Sequence, residues 1–404
     1  MINASAAGVI EACRANKDKI GTLYAGQNGI LGALHENLID TSKETPTAVA
    51  SLKHTPGGAF GSCRYKMRDH NEDSSEYERL VEVFKAHNIG YFFYNGGGDS
   101  ADTCLKVSQI AERMNYPIQA IHIPKTIDND LPHTDCSPGF GSVAKYVAVS
   151  TKEASLDIAS MCASSTKIFI LEVMGRHAGW IAASGGLAAE QAGDPPHIII
   201  FPEIPFSRDQ FIAKVDATVK DKGYCVVVAS EGAKYADGAL VSGSLHKDAF
   251  GHQQLGGVAQ TLASMVKNSL GHKYHYALAD YLQRSARHIA SKTDVEQAYA
   301  VGRGAVEKAL EGKRGIMVTI ERGTGKKFSW SLGEAPLSKI ANVEKKMPRA
   351  FITKDGFGIT AKAREYFQPL IMGEDYPPYK NGVPQYANLK NILVEKKLKE
   401  GFEG

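Results

Sequence analysis

Two short stretches of the chain carry residues whose types and spacing suit chemistry. The first is Asn95–Ser100, "NGGGDS", which follows the aromatic run Phe92–Tyr94 and precedes a helical pattern. A glycine-rich turn between a strand and a helix favours anions, because bare backbone N–H groups and the helix N-terminus point at the same place. Asp99 opposes an anion there. The conflict disappears if its carboxylate holds a metal ion that itself holds phosphate. The second stretch is Pro124–Asp130, "PKTIDND", with Asp128 and Asp130 two residues apart. In an extended loop they share a face and can divide proton transfer from control of metal or charge. Taken alone, the same triplet also reads as an Asx turn that caps the next helix.

Rigid elements must hold these loops. Short β-branched or aromatic runs recur at 20–25, 89–95, 118–123, 167–173, 197–201, 224–229 and 315–320. Helical spacing separates them at about 75–88, 101–115, 139–162, 178–191, 207–222, 252–270 and 293–311. Near-continuous apolar strands alternating with helices predict parallel sheets covered on both faces, a doubly wound α/β architecture with ligands beyond the strand C-termini. A chain of 404 residues exceeds the ~250 to 300 that one core usually serves, so two such domains with a cleft between them are expected. After about 340 the sequence changes to "GEDYPPYKNGVPQYANL" and then a Lys/Glu-rich end, read as a surface extension that finishes in a solvated helix and carries no chemistry.

Composition narrows the function classes. The chain is 43% hydrophobic and 23% charged, with a formal net charge of +3, which predicts attraction to neither nucleic acid nor membrane. Six scattered cysteines form no CxxC or His/Cys cluster and read as reduced thiols of a cytoplasmic protein. No apolar run reaches the ~18 residues of a membrane span.

Together with "EVMGRHAGW" (172–180) and "FPEIPF" (201–206), the two loops closely resemble, in order and spacing, the phosphofructokinase family and specifically its pyrophosphate-dependent branch, over Met1 to about residue 330. The resemblance implies two Rossmann-like domains, 1–138 with 285–335 for the phosphate donor and 139–284 for the sugar phosphate, with 336–404 as an extension packing on the smaller one. It implies that Asp128 takes the proton from the sugar 1-hydroxyl, with Thr126 and Asp130 beside it. Met174, Gly175 and Arg176 would contact sugar and transferring phosphate, the guanidinium supplying a planar donor fork. Gly97, Asp99, Ser100, Lys125 and Arg64 would hold pyrophosphate, and Asp99 would ligate Mg²⁺. Relatives that use ATP have small residues at the places of Asp99 and Lys125, so these two bulky charged side chains imply pyrophosphate as donor. Glu231 would hold sugar hydroxyls, and Tyr281 and Arg284 the sugar 6-phosphate. Lys167 would complete that pocket from a neighbouring subunit, which implies a homodimer or homotetramer.

The activity implied is reversible phosphorylation of fructose 6-phosphate, a glycolytic step. Sedoheptulose 7-phosphate, which presents the same hydroxymethyl ketose end, is an alternative acceptor. The sequence departs from the family at three places. Gly98 stands where many relatives have a metal-binding aspartate, and His275 where many have an arginine. The family's first strand and its "SGGP"-like loop would precede "INASAAGVI", so the natural protein is expected to be longer by about a dozen residues, since losing a strand exposes unpaired backbone. If this length is genuine, a sugar-phosphate-binding protein without turnover is the other alternative.

Overall fold

The computed structural model describes residues 1–68, 70–243 and 256–402. Helix Ile2–Ala15 opens the chain, followed by a small antiparallel pair, β1 (Tyr24–Gly26) and β2 (Leu38–Asp40). The remaining strands that matter to the site are β3 (Tyr91–Gly96), β4 (Gln119–Pro124), β5 (Ile168–Val173), β6 (Ile198–Ile200), β7 (Cys225–Ser230), β8 (Tyr274–Leu278), β9 (Ile316–Arg322) and β10 (Trp330–Pro336). They form two four-stranded sheets, β10-β9-β4-β3 and β6-β7-β5-β8. All neighbours are parallel except β9 and β10.

The fold is therefore the expected one, two parallel sheets flanked by helices, and six of the seven expected strands lie in those sheets. The run 20–25 does not. Its last two residues form part of β1, outside both sheets. β8 and β10 were not legible in the sequence: "YHYAL" is largely exposed, and "WSLGEAP" is an amphipathic edge. Helix Ile2–Ala15 also lies outside the expected elements.

Most helices fall within a few residues of expectation. Helix Arg208–Lys222 shows why: Ser207 accepts the Gln210 N–H at its start, and Gly223 ends it in the left-handed conformation. Of the expected helix 252–270, Val258–Leu270 forms, and residues 252–255 lie outside the described residues. The expected helix 178–191 is cut to Trp180–Ser184 and a 3₁₀ turn, Gly185–Ala188. Two adjacent glycines weaken a helix, and here they admit close neighbours. A Cβ on Gly185 would meet Val228 at 3.0 Å, and one on Gly186 would meet Ile359 at 2.6 Å.

One buried cluster joins the two sheets and holds Ile121 and Ile123 of β4, Leu171 and Val173 of β5, Val228 of β7 and Val318 of β9, together with Phe140 of helix Phe140–Met161. The extension adds Phe351 and Phe367 to this cluster, packed edge-to-face around Trp180.

Part of the extension packs against β6 and the turn Gly185–Ala188, where Phe357 O accepts the Ile199 N–H at 2.8 Å and Arg364 donates to Gly186 O at 2.8 Å. It departs from expectation beyond that, crossing to β2. Asp40 N–H donates to Ile392 O and Val394 N–H to Leu38 O. The Glu44 carboxylate accepts the N–H groups of Lys390 and Asn391, and that of Glu36 accepts those of Lys397 and Leu398. No helix forms over Lys390–Phe402. Several of its backbone donors are taken by the Glu36 and Glu44 carboxylates and by Leu38 O, which holds the segment extended.

Candidate active site

Strand register brings the two chemically informative loops together. Gly96 is paired with Pro124 at the C-terminal ends of β3 and β4, and Lys125 N–H donates to Gly96 O at 2.9 Å. Gly96 has no room for a side chain, because a Cβ there would lie 2.0 Å from Ser100 Oγ. Helix Gly98–Arg113 starts in this turn, with Gly97 as its N-cap and Asp99 exposed in its first turn. An acid there also complements the helix dipole.

The second sheet does the same for the residues expected to meet the sugar. Val173 is paired with Ser230, so Met174–Arg176 and Glu231 leave adjacent strand ends. Gly175 N–H donates to Glu231 Oε1 at 3.3 Å, and Ser230 Oγ donates to Gly175 O at 2.7 Å. Gly175 has φ +132°, a conformation open to glycine alone at low cost. Met174 N–H donates to Gln283 Oε1 at 3.2 Å, which ties this loop to helix Asp280–Ser285, the element carrying Tyr281 and Arg284.

The charges converge between the sheets. Burial raises the pKa of Asp128, opposed by a bond from Thr126 and by the charges of Lys125, Arg176 and Arg284. Thr126 Oγ1 donates to Asp128 Oδ2 at 3.3 Å and accepts the Asp128 N–H at 3.1 Å. Lys125 is pushed down by burial and by Arg284, while Asp128 and Asp130 push it up and Arg64 acts on it as well. Asp130 is pushed up to about 7 by burial and by the charge of Asp128, and its Oδ1 is buried without a hydrogen-bond partner among the described residues. Glu231 is likewise pushed up to about 7, chiefly by burial and against the Gly175 N–H, with Asp128 adding to the rise. Carboxylates and cations with opposed shifts in one cleft are the arrangement acid–base chemistry needs.

Arg64, Lys125, Thr126, Asp128, Asp130, Arg176, Glu231 and Arg284 are thus brought to one place by the fold. Tyr281 reaches it through Arg284, whose guanidinium lies 4.5 Å from the tyrosine ring centre. Lys167 does not join them within one chain. It precedes β5, at the end opposite Met174, and donates to Cys162 O at 2.8 Å and Gly223 O at 3.5 Å.

Sequence reasoning missed the residues that hold the loop after Lys125. Asn129, between the two aspartates, is left-handed at φ +53°. Its Oδ1 accepts the Ser137 N–H at 3.0 Å, and its Nδ2 donates to the Tyr366 hydroxyl at 3.1 Å. Lys345 donates from Nζ to Asn129 Oδ1 and, through its own N–H, to Asp130 O. Both Lys345 and Tyr366 come from the extension expected to carry no chemistry. Residues more than 200 positions away leave no local signal, and only the "ND" pair hinted at a left-handed position.

The sequence model of the family described as Phosphofructokinase matches residues 1–309. A pyrophosphate–fructose 6-phosphate 1-phosphotransferase of Halomonas elongata is 64% identical over 400 residues, covering 99% of this chain and 96% of that protein. One of Methylococcus capsulatus is 60% identical over 402 residues, covering 100% and 96%. The crystal structure of a pyrophosphate-dependent phosphofructokinase from Marinobacter aquaeolei superposes with a TM-score of 0.91 at 63% identity, covering 100% of this chain and 96% of that one.

The Glu231 shift has a thermodynamic consequence. Its folded pKa of about 7 lies above the ordinary 4.5, so the native state keeps this proton longer than the unfolded chain, and stability falls as pH rises between those values. Glu231→Gln removes the buried charge and keeps an acceptor for Gly175. The ligand-free variant should therefore unfold at a higher temperature than wild type at pH 8, and the two should converge near pH 5. Equal midpoints for both proteins at pH 8 would show that Glu231 is not strained by ionisation.

Proposed function

The chain belongs to the phosphofructokinase family, and from that premise we propose that it transfers a phosphoryl group from pyrophosphate to the 1-hydroxyl of fructose 6-phosphate, forming fructose 1,6-bisphosphate and phosphate, and runs this reaction in both directions. The observation that carries the reading is the placement of Asp128, a carboxylate raised by burial and faced by Lys125, Arg176 and Arg284. Phosphoryl transfer needs positioning and neutralisation of charge more than covalent chemistry from the protein. In this reading Asp128 accepts the proton of the sugar hydroxyl, and Thr126 and Asp130 shape its surroundings. Lys125, Arg64, Gly97, Asp99 and Ser100 bind pyrophosphate. Arg176 meets the transferring group, and Met174, Gly175 and Glu231 orient the sugar.

Asp99 fits a supporting role for Mg²⁺. Magnesium is commonly held by one or two carboxylates together with substrate phosphate oxygens, and Asp99 is exposed at the turn where Gly97 opens a helix N-terminus. Bound there, the ion would neutralise phosphate charge. Six free cysteines accord with a cytoplasmic setting, and among the described residues no helix is long and apolar enough to cross a membrane.

An oligomer completes the sugar site in this reading. Tyr276, Leu278, Tyr281 and Leu282 are exposed large side chains along β8 and the helix after it, next to Arg284. Such a patch is costly to leave in water. A second copy covering it would bring its own Lys167 toward the sugar 6-phosphate.

Three measurements test these assignments. Asp128→Asn should lower turnover in both directions by at least ~10², with much smaller changes in the Michaelis constants. Turnover near wild type would remove Asp128 as the base. Asp99→Asn should raise the Mg²⁺ concentration for half-maximal rate by roughly tenfold or more, the size of effect expected when a carboxylate near a metal is lost. An unchanged Mg²⁺ dependence would exclude Asp99 as a ligand. Lys167→Ala should raise the Michaelis constant for fructose 6-phosphate and weaken its stabilisation of the oligomer in sedimentation. A wild type that is a fully active monomer would defeat the shared site.

A further inference from the structure

The loop that carries Asp128 is held from outside its own domain. Lys345, in the extension, has three ammonium protons and three oxygens to receive them: Asn129 Oδ1 at 3.3 Å, Thr134 O at 3.1 Å and Asp135 O at 2.9 Å. Its main-chain N–H donates to Asp130 O at 2.6 Å. None of these acceptors is a carboxylate oxygen. The lysine therefore grips the shape of the loop, at both ends of the segment 129–135 and at the side chain of Asn129, more than it neutralises the acids.

The other side of Lys345 is fixed as well. Its ammonium lies 5.2 Å from the Trp180 ring centre, and Trp180 Nε1 donates to Lys345 O at 3.2 Å. Trp180 is buried and follows Arg176 by four residues in the smaller domain. Lys345 thus connects the loop of the base directly to the segment of the phosphate-contacting arginine.

We propose that Lys345 is a positioning residue for phosphoryl transfer, holding the loop Asp128–Asp135 against the Arg176 segment so that the Asp128 carboxylate faces the sugar hydroxyl. This rests on the assignment of Asp128 as the base. The residue touches neither substrate directly in this account, so its loss should change the rate of the chemical step and leave binding largely intact.

Lys345→Met keeps the length of the stem and removes the donors. Misplacement by about 1 Å can cost roughly 10²-fold, so kcat should fall about tenfold to a hundredfold in both directions, with both Michaelis constants within about threefold of wild type. A purely structural role would lower thermal stability but leave kcat unchanged at temperatures where the variant is folded. Lys345→Arg retains charge but its planar fork does not fit three such acceptors. It should fold and show a smaller kcat loss of the same kind, and it decides the matter if Lys345→Met does not fold. Wild-type kcat in the folded variants, or a loss confined to the Michaelis constants, would overturn the proposal. Asp128→Asn run beside them separates the two assignments. An inactive Asp128→Asn with active Lys345 variants overturns only the positioning role, whereas an active Asp128→Asn overturns the base and this proposal together.

Discussion

A single buried carboxylate sets the relation between the two sheets. Asp294, on helix Lys292–Leu310, accepts the Gly139 N–H at 2.8 Å and the Ser142 N–H at 3.0 Å, at the N-terminus of the long helix Phe140–Met161. A carboxylate at a helix N-terminus satisfies donors that have no partner in the helix and complements its dipole. Gly141 allows this approach, since a Cβ there would meet Asp294 Cβ at 3.0 Å. Gly139 also bridges to Thr126. The loop 125–138 is therefore fixed at its start by β4 and at its end by Asp294.

Within the cleft the chain accepts an electrostatic cost. Asp128, Asp130 and Glu231 are all raised by burial, and Lys125 is lowered by it. Removing such groups from water is unfavourable unless partners compensate. Here the partners are shared across elements: a threonine hydroxyl two residues away, a backbone N–H of another strand end, Arg176 from the loop after β5 and Arg284 from helix Asp280–Ser285. A reaction that moves a highly charged phosphoryl group benefits from such a preorganised field, because the groups need not reorganise when the charge moves. Surrounding structure has to hold them, and the glycines at 96 and 175 show how closely the backbone is packed to do so.

The C-terminal extension supplies much of that support. Its aromatic residues close the shared core around Trp180, Lys345 and Tyr366 reach the loop of the aspartates, and its last part is pinned to β2 and to the carboxylates of Glu36 and Glu44. Glu36 is itself buried and bonded to His87 at 2.6 Å. A segment that looks on composition like a solvated appendage is in fact bonded through its backbone along most of its path.

Local pattern determined much of this protein. Apolar runs bounded by glycine and polar residues marked six of the sheet strands, helical spacing marked most helices, and "NGGGDS" and "PKTIDND" declared their chemistry through residue type, because period, turn preference and carboxylate spacing are properties of a few consecutive residues. What tertiary structure alone decided depends on residues far apart in the chain. The pairing of Gly96 with Pro124 and of Val173 with Ser230 placed the loops side by side. Two adjacent glycines cut a helix short where Val228 and Ile359 needed the space, and β8 formed as an exposed strand beside β5 despite its weak pattern. The grip of Lys345 and Tyr366 on Asn129, and the extended path of the last residues, arise from hydrogen-bond partners that no local window contains. A backbone donor or an ammonium takes whichever acceptor the folded chain brings to it, and that choice is made only when the distant segments meet.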